Sequence, residues 1–471
     1  MRKTLPDRRT LLKLLGASGL AALTGLAGFQ AGRATSIQEQ IPITKGSFAS
    51  PASYIIFKDG DLIKAKNGKT GQVEFLGTDA AEVMQSAINA LPAQGGKIIL
   101  REGEYVANVS LRSGVELVGC GRAENYIDYP DIPKTGTVIN GSVTIEGAGP
   151  TTPDRIFGAV LRDLFIKGCL KIKYAVGATV ENVFVHANGG TYGVWVDSSY
   201  ATTFRGVRVA GATYGFYIHN ENASDNPSNV WLHNCFPECN EYGIYGDMNK
   251  YHTIVFTNGW IEIRKAFYGY ALWIADSRIV MGKEDINAIE CVVLHATNLR
   301  LTGDGYGTAI KIRDWGYAHL ATSEIEKFAN VFYPVSNVVI HGAGIKISNC
   351  GQIFHPDTGS PVRAWLNGRI YGIDNGLGVM PTVWVFNGHT NANILSKNAG
   401  TATFSGDGST TQFAIAHGLV GEPKTVNVTP LSADAAGDFY VTKDSTYIYV
   451  NYLSPPPSGT DNVVLSWRAE V

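Results

Sequence analysis

From about residue 155 to 350 the chain alternates short apolar runs with Gly, Asn, Asp and Thr, and the runs repeat one another loosely. Leu161-Arg162-Asp163-Leu164-Phe165-Ile166 has counterparts at 180–185, 204–209 and 229–232. The matching positions Asp163, Asn182, Gly206 and Asn229 step by 19, 24 and 23 residues. A period in the low twenties is one coil of a parallel β-helix, with uneven steps marking loops inserted at its corners. A second run, Tyr192-Gly193-Val194-Trp195-Val196-Asp197, recurs at 214–219 and 242–247, and more loosely at 270–275. Side chains alternate across a strand. With Val194, Val196, Phe216, Ile218 and Ile244 turned inward, Trp195, Tyr217, Tyr245 and Trp273 form an outer column, with Asp197, His219 and Asp247 beside it. In the same register, Lys311, Arg313 and Lys346 also point outward.

The segments flanking this repeat have different patterns. Thr78-Asp79-Ala80-Ala81 caps a helix whose apolar positions Val83, Ala87, Ile88 and Leu91 share one face. Gly95-Gly96 ends it, and strands follow at 97–100, 105–106, 109–111 and 115–118. Asp79-Ala80-Ala81, Ile88-Asn89-Ala90-Leu91, Gly95-Gly96-Lys97-Ile98 and Glu102-Gly103-Glu104-Tyr105 resemble the opening of pectate-lyase-superfamily proteins. The resemblance covers about a tenth of the chain. It implies an all-β, right-handed parallel β-helix whose N-terminal helix caps the first coil, which has no neighbour to bury its face. Lyases, hydrolases, epimerases and adhesins share that opening, so it does not fix the reaction. Residues 352–400, rich in Gly, Asn and Pro, close or leave the solenoid. Six further strands, at 402–404, 413–415, 425–429, 439–442, 447–452 and 463–467, predict a small C-terminal antiparallel β-sandwich.

Arg8-Arg9 ahead of the modest apolar run 14–31 has the layout of a twin-arginine (Tat) export signal. The expected organisation is a signal at 1–34, a linker at 35–53, the β-helix at 54–395 and the sandwich at 396–471. The run is too short and small-residued for a stable membrane span. Removing 1–34 takes away six basic side chains and one acidic, leaving 33 Lys+Arg against 40 Asp+Glu and a formal charge of −7. No stretch is basic enough for a nucleic-acid partner. An extracellular or cell-surface protein that acts on a polysaccharide fits this balance, with a homotrimer among its forms. Six cysteines permit disulfides in an exported chain, Cys235 and Cys239 being the nearest pair, yet inert thiols stacked in a core are equally compatible. A C-x3-C without a second pair is not a zinc site.

An outer column of aromatic rings beside carboxylates suits sugar rings, which present apolar C–H faces and hydroxyl rims. Asp197, His219 and Asp247 are the candidate catalytic residues, and Trp195, Tyr217, Tyr245, Trp273, Lys311 and Arg313 the candidate substrate contacts. A glycoside hydrolase needs two carboxyls, here Asp197 and Asp247. A uronate lyase needs a base, here His219, and a neutraliser for the carboxylate, either Lys or Arg or Ca2+ held by acidic residues. The chain carries neither the Asn-x-Asp, Asp-Asp, Gly-His-Gly and Arg-x-Lys set of polygalacturonases nor the Arg-x-Pro-x-x-Arg of pectate lyases. A non-catalytic glycan-binding adhesin and a trimeric tailspike-like depolymerase are the competing readings.

Overall fold

The computed structural model describes residues 51–123, 135–221, 228–239, 241–247, 252–263, 265–281, 287–378, 381, 383–390 and 394–471. The expected signal, and all but the end of the expected linker, lie outside these residues. Three antiparallel strands open the described chain: Tyr54–Asp59, Leu62–Asn67 and Val73–Gly77. The sequence reading passed over them, although Asp59-Gly60 between two alternating runs is a hairpin signal. Helix α1, Ala80–Asn89, follows. The Asp79 carboxylate caps it, accepting from the Ala81 N–H at 2.8 Å and the Glu82 N–H at 3.3 Å. Ala80, Val83, Met84, Ala87 and Ile88 bury one face of α1 against the first coil. The chain then passes Gly95 at φ 90, where a Cβ would lie 2.1 Å from the Gly114 carbonyl oxygen. No side chain fits that approach.

The body is a right-handed parallel β-solenoid of about eleven coils. Each coil contributes to three sheets. Sheet A includes Ser228–His233 and His252–Thr257; sheet B includes Arg208–Ala210 and Phe236–Glu238; sheet C includes Tyr192–Asp197, Tyr214–His219 and Tyr242–Gly246. Farther along, single strands bend across corners. Lys265–Ala275, Asn287–Thr297 and Thr308–Ala321 run from sheet C into sheet A. Inward positions stack in files, and one file in sheet C reads Leu170, Val194, Phe216, Ile244, Phe267, Ile289, Ile310, Phe332 and Phe354. All nine are buried. Full burial of such a side chain stabilises the fold by about 1.5–3 kcal/mol.

The corner between sheets A and B is a single residue with positive φ, repeated at Asp163, Asn182, Gly206, Asn234, Asn258, Asp276, Asn298, Thr322 and Gly344. Asn, Asp and Gly tolerate that conformation best. Neighbours also bond along the stack, Asn182 Nδ2–H donating to Asp163 Oδ1 at 2.7 Å and Asn298 Nδ2–H to Asp276 Oδ1 at 2.9 Å. The fourth copy is therefore Asn234 and not Asn229: Leu232 pairs with Phe204, which puts Asn234, at φ 53, opposite Gly206.

Past residue 352 the solenoid continues. Val362–Ile373 and Val383–Thr390 add rungs to sheets A and B. The glycines that suggested an exit are needed for contact, since a Cβ on Gly388 would fall 2.0 Å from the Gly368 carbonyl oxygen. Six antiparallel strands then form two three-stranded sheets: Lys397–Gly406, Gly459–Glu470 and Thr425–Pro430 in one, Gln412–Ala416, Tyr447–Tyr452 and Phe439–Lys443 in the other. Leu395 packs against both the solenoid core and the sandwich core. The six cysteines are free thiols, and Cys235, Cys239, Cys291 and Cys350 are buried. Burial pushes the Cys235 and Cys239 thiols up to about 12 and Cys350 to about 11.

Candidate functional site

The outer face of sheet C carries two aromatic columns. Tyr192, Tyr214 and Tyr242 are in register along one edge, and Trp195, Tyr217, Tyr245 and Tyr268 run beside them. All are half-buried, chiefly by one another. Tyr217 and Tyr245 stack at 5.3 Å and 5°, Tyr245 and Tyr268 at 4.8 Å and 8°, Tyr214 and Tyr242 at 5.3 Å and 9°. The rung spacing of ~4.8 Å sets these distances. Stacking at that spacing occupies the ring faces, so the columns present ring edges and hydroxyls outward. Burial raises the Tyr217 phenol to about 12 and also lifts those of Tyr245 and Tyr268. These phenols keep their protons at any ordinary pH.

Beside the columns, Lys173, Asp197 and His219 occupy one register on three successive rungs, and Asp247 follows the next strand. Asp197 is 1% exposed. Its Oδ1 lies 3.3 Å from His219 Nδ1 and accepts from the Glu221 N–H at 2.9 Å and Ser198 Oγ–H at 3.0 Å. Burial alone would push this carboxyl up. The hydrogen bonds from His219, Glu221 and Ser198, with the imidazole's charge, outweigh burial and hold Asp197 below its ordinary value. Lys173 Nζ stands 3.6 Å from Asp197 Oδ2 and is paired with Glu221, which accepts from the Tyr174 hydroxyl at 2.8 Å. Burial disfavours the Lys173 charge, but Glu221 and Asp197 more than restore it, and its pKa is raised. An ionised carboxylate at Nδ1 fixes the proton there and turns Nε2 toward Asp247, whose Oδ2 is 3.8 Å away.

The other predicted residues separate. Trp273 does not continue the tyrosine column: Tyr245 pairs with Tyr268, while Trp273 pairs with Val255 and His295 on sheet A. The loose match at 270–275 misled because Lys265–Ala275 bends from one sheet into the other. Lys311 and Arg313 do lie on sheet C, beyond Tyr268, but both are paired with Glu290, the Lys311 contact being 3.7 Å. Arg313 Nη2–H also donates to the Tyr268 hydroxyl at 3.4 Å. Lys346 belongs to sheet B and pairs with Glu324.

Sequence reasoning passed over Lys173, Glu221 and Trp315. Trp315 is 79% exposed at φ 61, at the corner where Thr308–Ala321 turns from sheet C to sheet A. An indole exposed in a left-handed backbone is uncommon. Arg313-Asp314-Trp315-Gly316, interrupting an alternating strand, was its signal in the sequence. Among the described residues, no group of three or more His, Cys, Asp or Glu side chains is arranged to hold a metal ion, and no helix is long and apolar enough to cross a membrane.

No family model and no curated protein matches this chain. Solved structures that align with it include the tailspike protein gp49 of Pseudomonas phage LKA1, at 12% identity and TM-score 0.40, over 79% of this chain and 67% of that one. The A-module of the Azotobacter vinelandii mannuronan C-5 epimerase AlgE4 aligns at 13% identity and TM-score 0.36, over 66% and 95% of the two chains. The Streptococcus pneumoniae surface adhesin PfbA aligns at 11% identity and TM-score 0.35, over 63% and 87%. At these values the activity has to be argued from the residues themselves.

Proposed function

We propose that this is an exported, pectate-lyase-type polysaccharide-acting protein and that the outer face of sheet C is its glycan site, with proton abstraction from a uronate as its chemistry. The observation that carries this reading is His219, held between the buried Asp197 and Asp247 at the edge of the tyrosine columns. Asp197 is a positioning residue: at 1% exposure it cannot touch a sugar, which argues against a hydrolase using it as acid or nucleophile. His219 Nε2 takes the C5 proton, the electron pair forms the C4–C5 double bond, and the C4–O bond breaks. Tyr217, a step back along the same strand and firmly protonated, supplies the proton to the leaving oxygen. Lys173 faces the uronate carboxylate. Trp315, with its ring open to solvent, is a platform farther along the face. The twin arginine near the N-terminus accounts for export in this reading.

The test is activity of the full chain on neutral and acidic polysaccharides, following both new reducing ends and ultraviolet absorbance of unsaturated uronates. Both signals, lost in His219→Gln, are expected. Reducing ends without absorbance would replace the lyase by a hydrolase. A non-catalytic adhesin is the second reading, favoured by the closed pairing of Lys173, Asp197 and Glu221. Binding without either signal, unchanged in His219→Gln, would select it.

A further inference from the structure

A second outward column runs along sheet A. Trp273, His295, His319, His341, Trp365 and Val385 are in register on successive rungs. Trp273 stacks on His295 at 5.2 Å and 14°, and His341 on Trp365 at 4.8 Å and 7°. His295 meets His319 edge-on at 6.2 Å. The column then steps down from an indole to a valine. Beside that step, Ala343 and Asn367 are also small, and a cavity of about 550 Å³ opens. Its walls include Tyr317, His319, His341, Trp365 and Asn367 from the solenoid and Lys397 from the first sandwich strand. Among the described residues, no carboxylate lines it. A second cavity, of about 420 Å³, shares Lys397 and adds Arg468, so the concavity continues along the sandwich.

We infer that this step in the sheet A column is a second glycan-binding site, for an acidic sugar unit. A single saccharide fits a hollow of this size. Trp365 and Tyr317 give apolar area for the ring's C–H face. The imidazoles of His319 and His341 and the amide of Asn367 exchange hydrogen bonds with hydroxyls, each neutral imidazole offering one donor and one acceptor. Lys397 supplies the charge that selects a carboxylate-bearing sugar over a neutral one. The site lies on a different sheet from His219, and its existence does not depend on any reaction there. A protein holding one chain at two faces binds it more tightly than either face alone.

The full-length protein is labelled with hydroxyl radicals in the presence of trimers of galacturonate, glucuronate, mannuronate or guluronate, with maltotriose as the neutral control, and oxidation is mapped by mass spectrometry. At least one uronate trimer is expected to protect Trp365 and His341, in wild type and in His219→Gln alike, while maltotriose does not. Lys397→Gln, an exposed substitution that leaves both cores intact, should weaken that trimer's affinity about ten-fold or more and abolish the protection. Trp365→Ala should weaken it as well. No protection of Trp365 by any uronate trimer, equal protection by maltotriose, or protection that survives Lys397→Gln would each overturn the inference.

Discussion

The faces of sheets A and C are built by the same backbone and diverge only in what the outward positions carry. On sheet C, tyrosines repeat at nearly equal size for several rungs, and their rings close on one another. Two residues along each strand, Lys173, Asp197, His219 and Asp247 stand as ionisable neighbours from rung to rung. On sheet A the column runs from an indole through three imidazoles to a second indole and then drops to valine, and the hollow forms at the drop. A regular ladder is a packing device because neighbours consume its faces. A ladder that changes size or charge leaves something over for a ligand. In a solenoid, then, binding sites are to be sought where an outward column breaks, more than where it repeats.

The largest expected effect separates the two faces outright. His219→Gln should lower turnover on the responsive polysaccharide by about 10²–10⁴-fold, the usual contribution of a positioned base. Initial rates followed by ultraviolet absorbance read this, with an unchanged thermal midpoint as the folding control. Retained turnover would move the chemistry away from sheet C.

Next comes Asp197, whose replacement strikes the same column from beneath. Asp197→Ala removes the acceptor for the Glu221 N–H and the partner of His219, and should destabilise the protein by about 1–3 kcal/mol in denaturant unfolding. Asp197→Asn tests the charge alone. Because the folded protein holds this carboxyl below its ordinary value, its stabilisation is complete above the unfolded pKa of about 3.9 and disappears as pH falls through the lower, folded value. The stability gap between wild type and Asp197→Asn should therefore narrow as pH is lowered through that window. A gap that stays constant with pH would mean that Asp197 is not ionised in the fold.

A smaller effect tests whether the sheet C ladder is packing. Tyr245 stacks on Tyr217 and Tyr268 and meets Tyr214 and Tyr242 edge-on, so Tyr245→Leu forfeits all four ring contacts while keeping apolar bulk. A loss of about 0.5–1.5 kcal/mol is expected for such contacts. If the variant instead keeps its stability and loses glycan affinity, the ring edges are binding elements and the contrast between the faces weakens.

Much of this was legible in the residues. The alternation in Tyr192–Asp197 and Tyr214–His219 gave the correct inward and outward sets, because burying the wrong face would expose Val194, Phe216 and Ile218 together. The capping helix was visible in Asp79 and its apolar spacing, and the six sandwich strands in their alternation. Three things were not visible. A strand that bends between sheets, such as Lys265–Ala275, carries no mark of its corner, and so Trp273 was assigned to the wrong face. The histidine column was also hidden. His295, His319 and His341 stand 24 and 22 residues apart, and only the coil register reveals them as neighbours. Burial of Asp197 was likewise hidden, since it depends on Ser198 and Glu221 folding back over it from the next corner.

The smallest effect is a pH dependence that belongs to sheet A alone. His295 lies between Trp273 and His319, and its pKa is lowered, first by burial and then by the neighbouring His319. A histidine with a lowered folded pKa binds fewer protons in the native than in the unfolded state just below the unfolded value of about 6.5. Native stability therefore declines as pH falls from there to the folded pKa, in the same direction as for Asp197 but in a higher pH window. His295→Gln keeps a planar, hydrogen-bonding side chain between the same neighbours and cannot titrate. Its thermal midpoint should fall less than that of wild type between about pH 7.5 and 5. His319→Gln should also shrink the wild-type decline, by relieving the like-charge partner. Were both variants to follow the wild-type curve, His295 would not feel its burial and its neighbour, and the stacked column would not be the rigid wall that the cavity beside Trp365 requires.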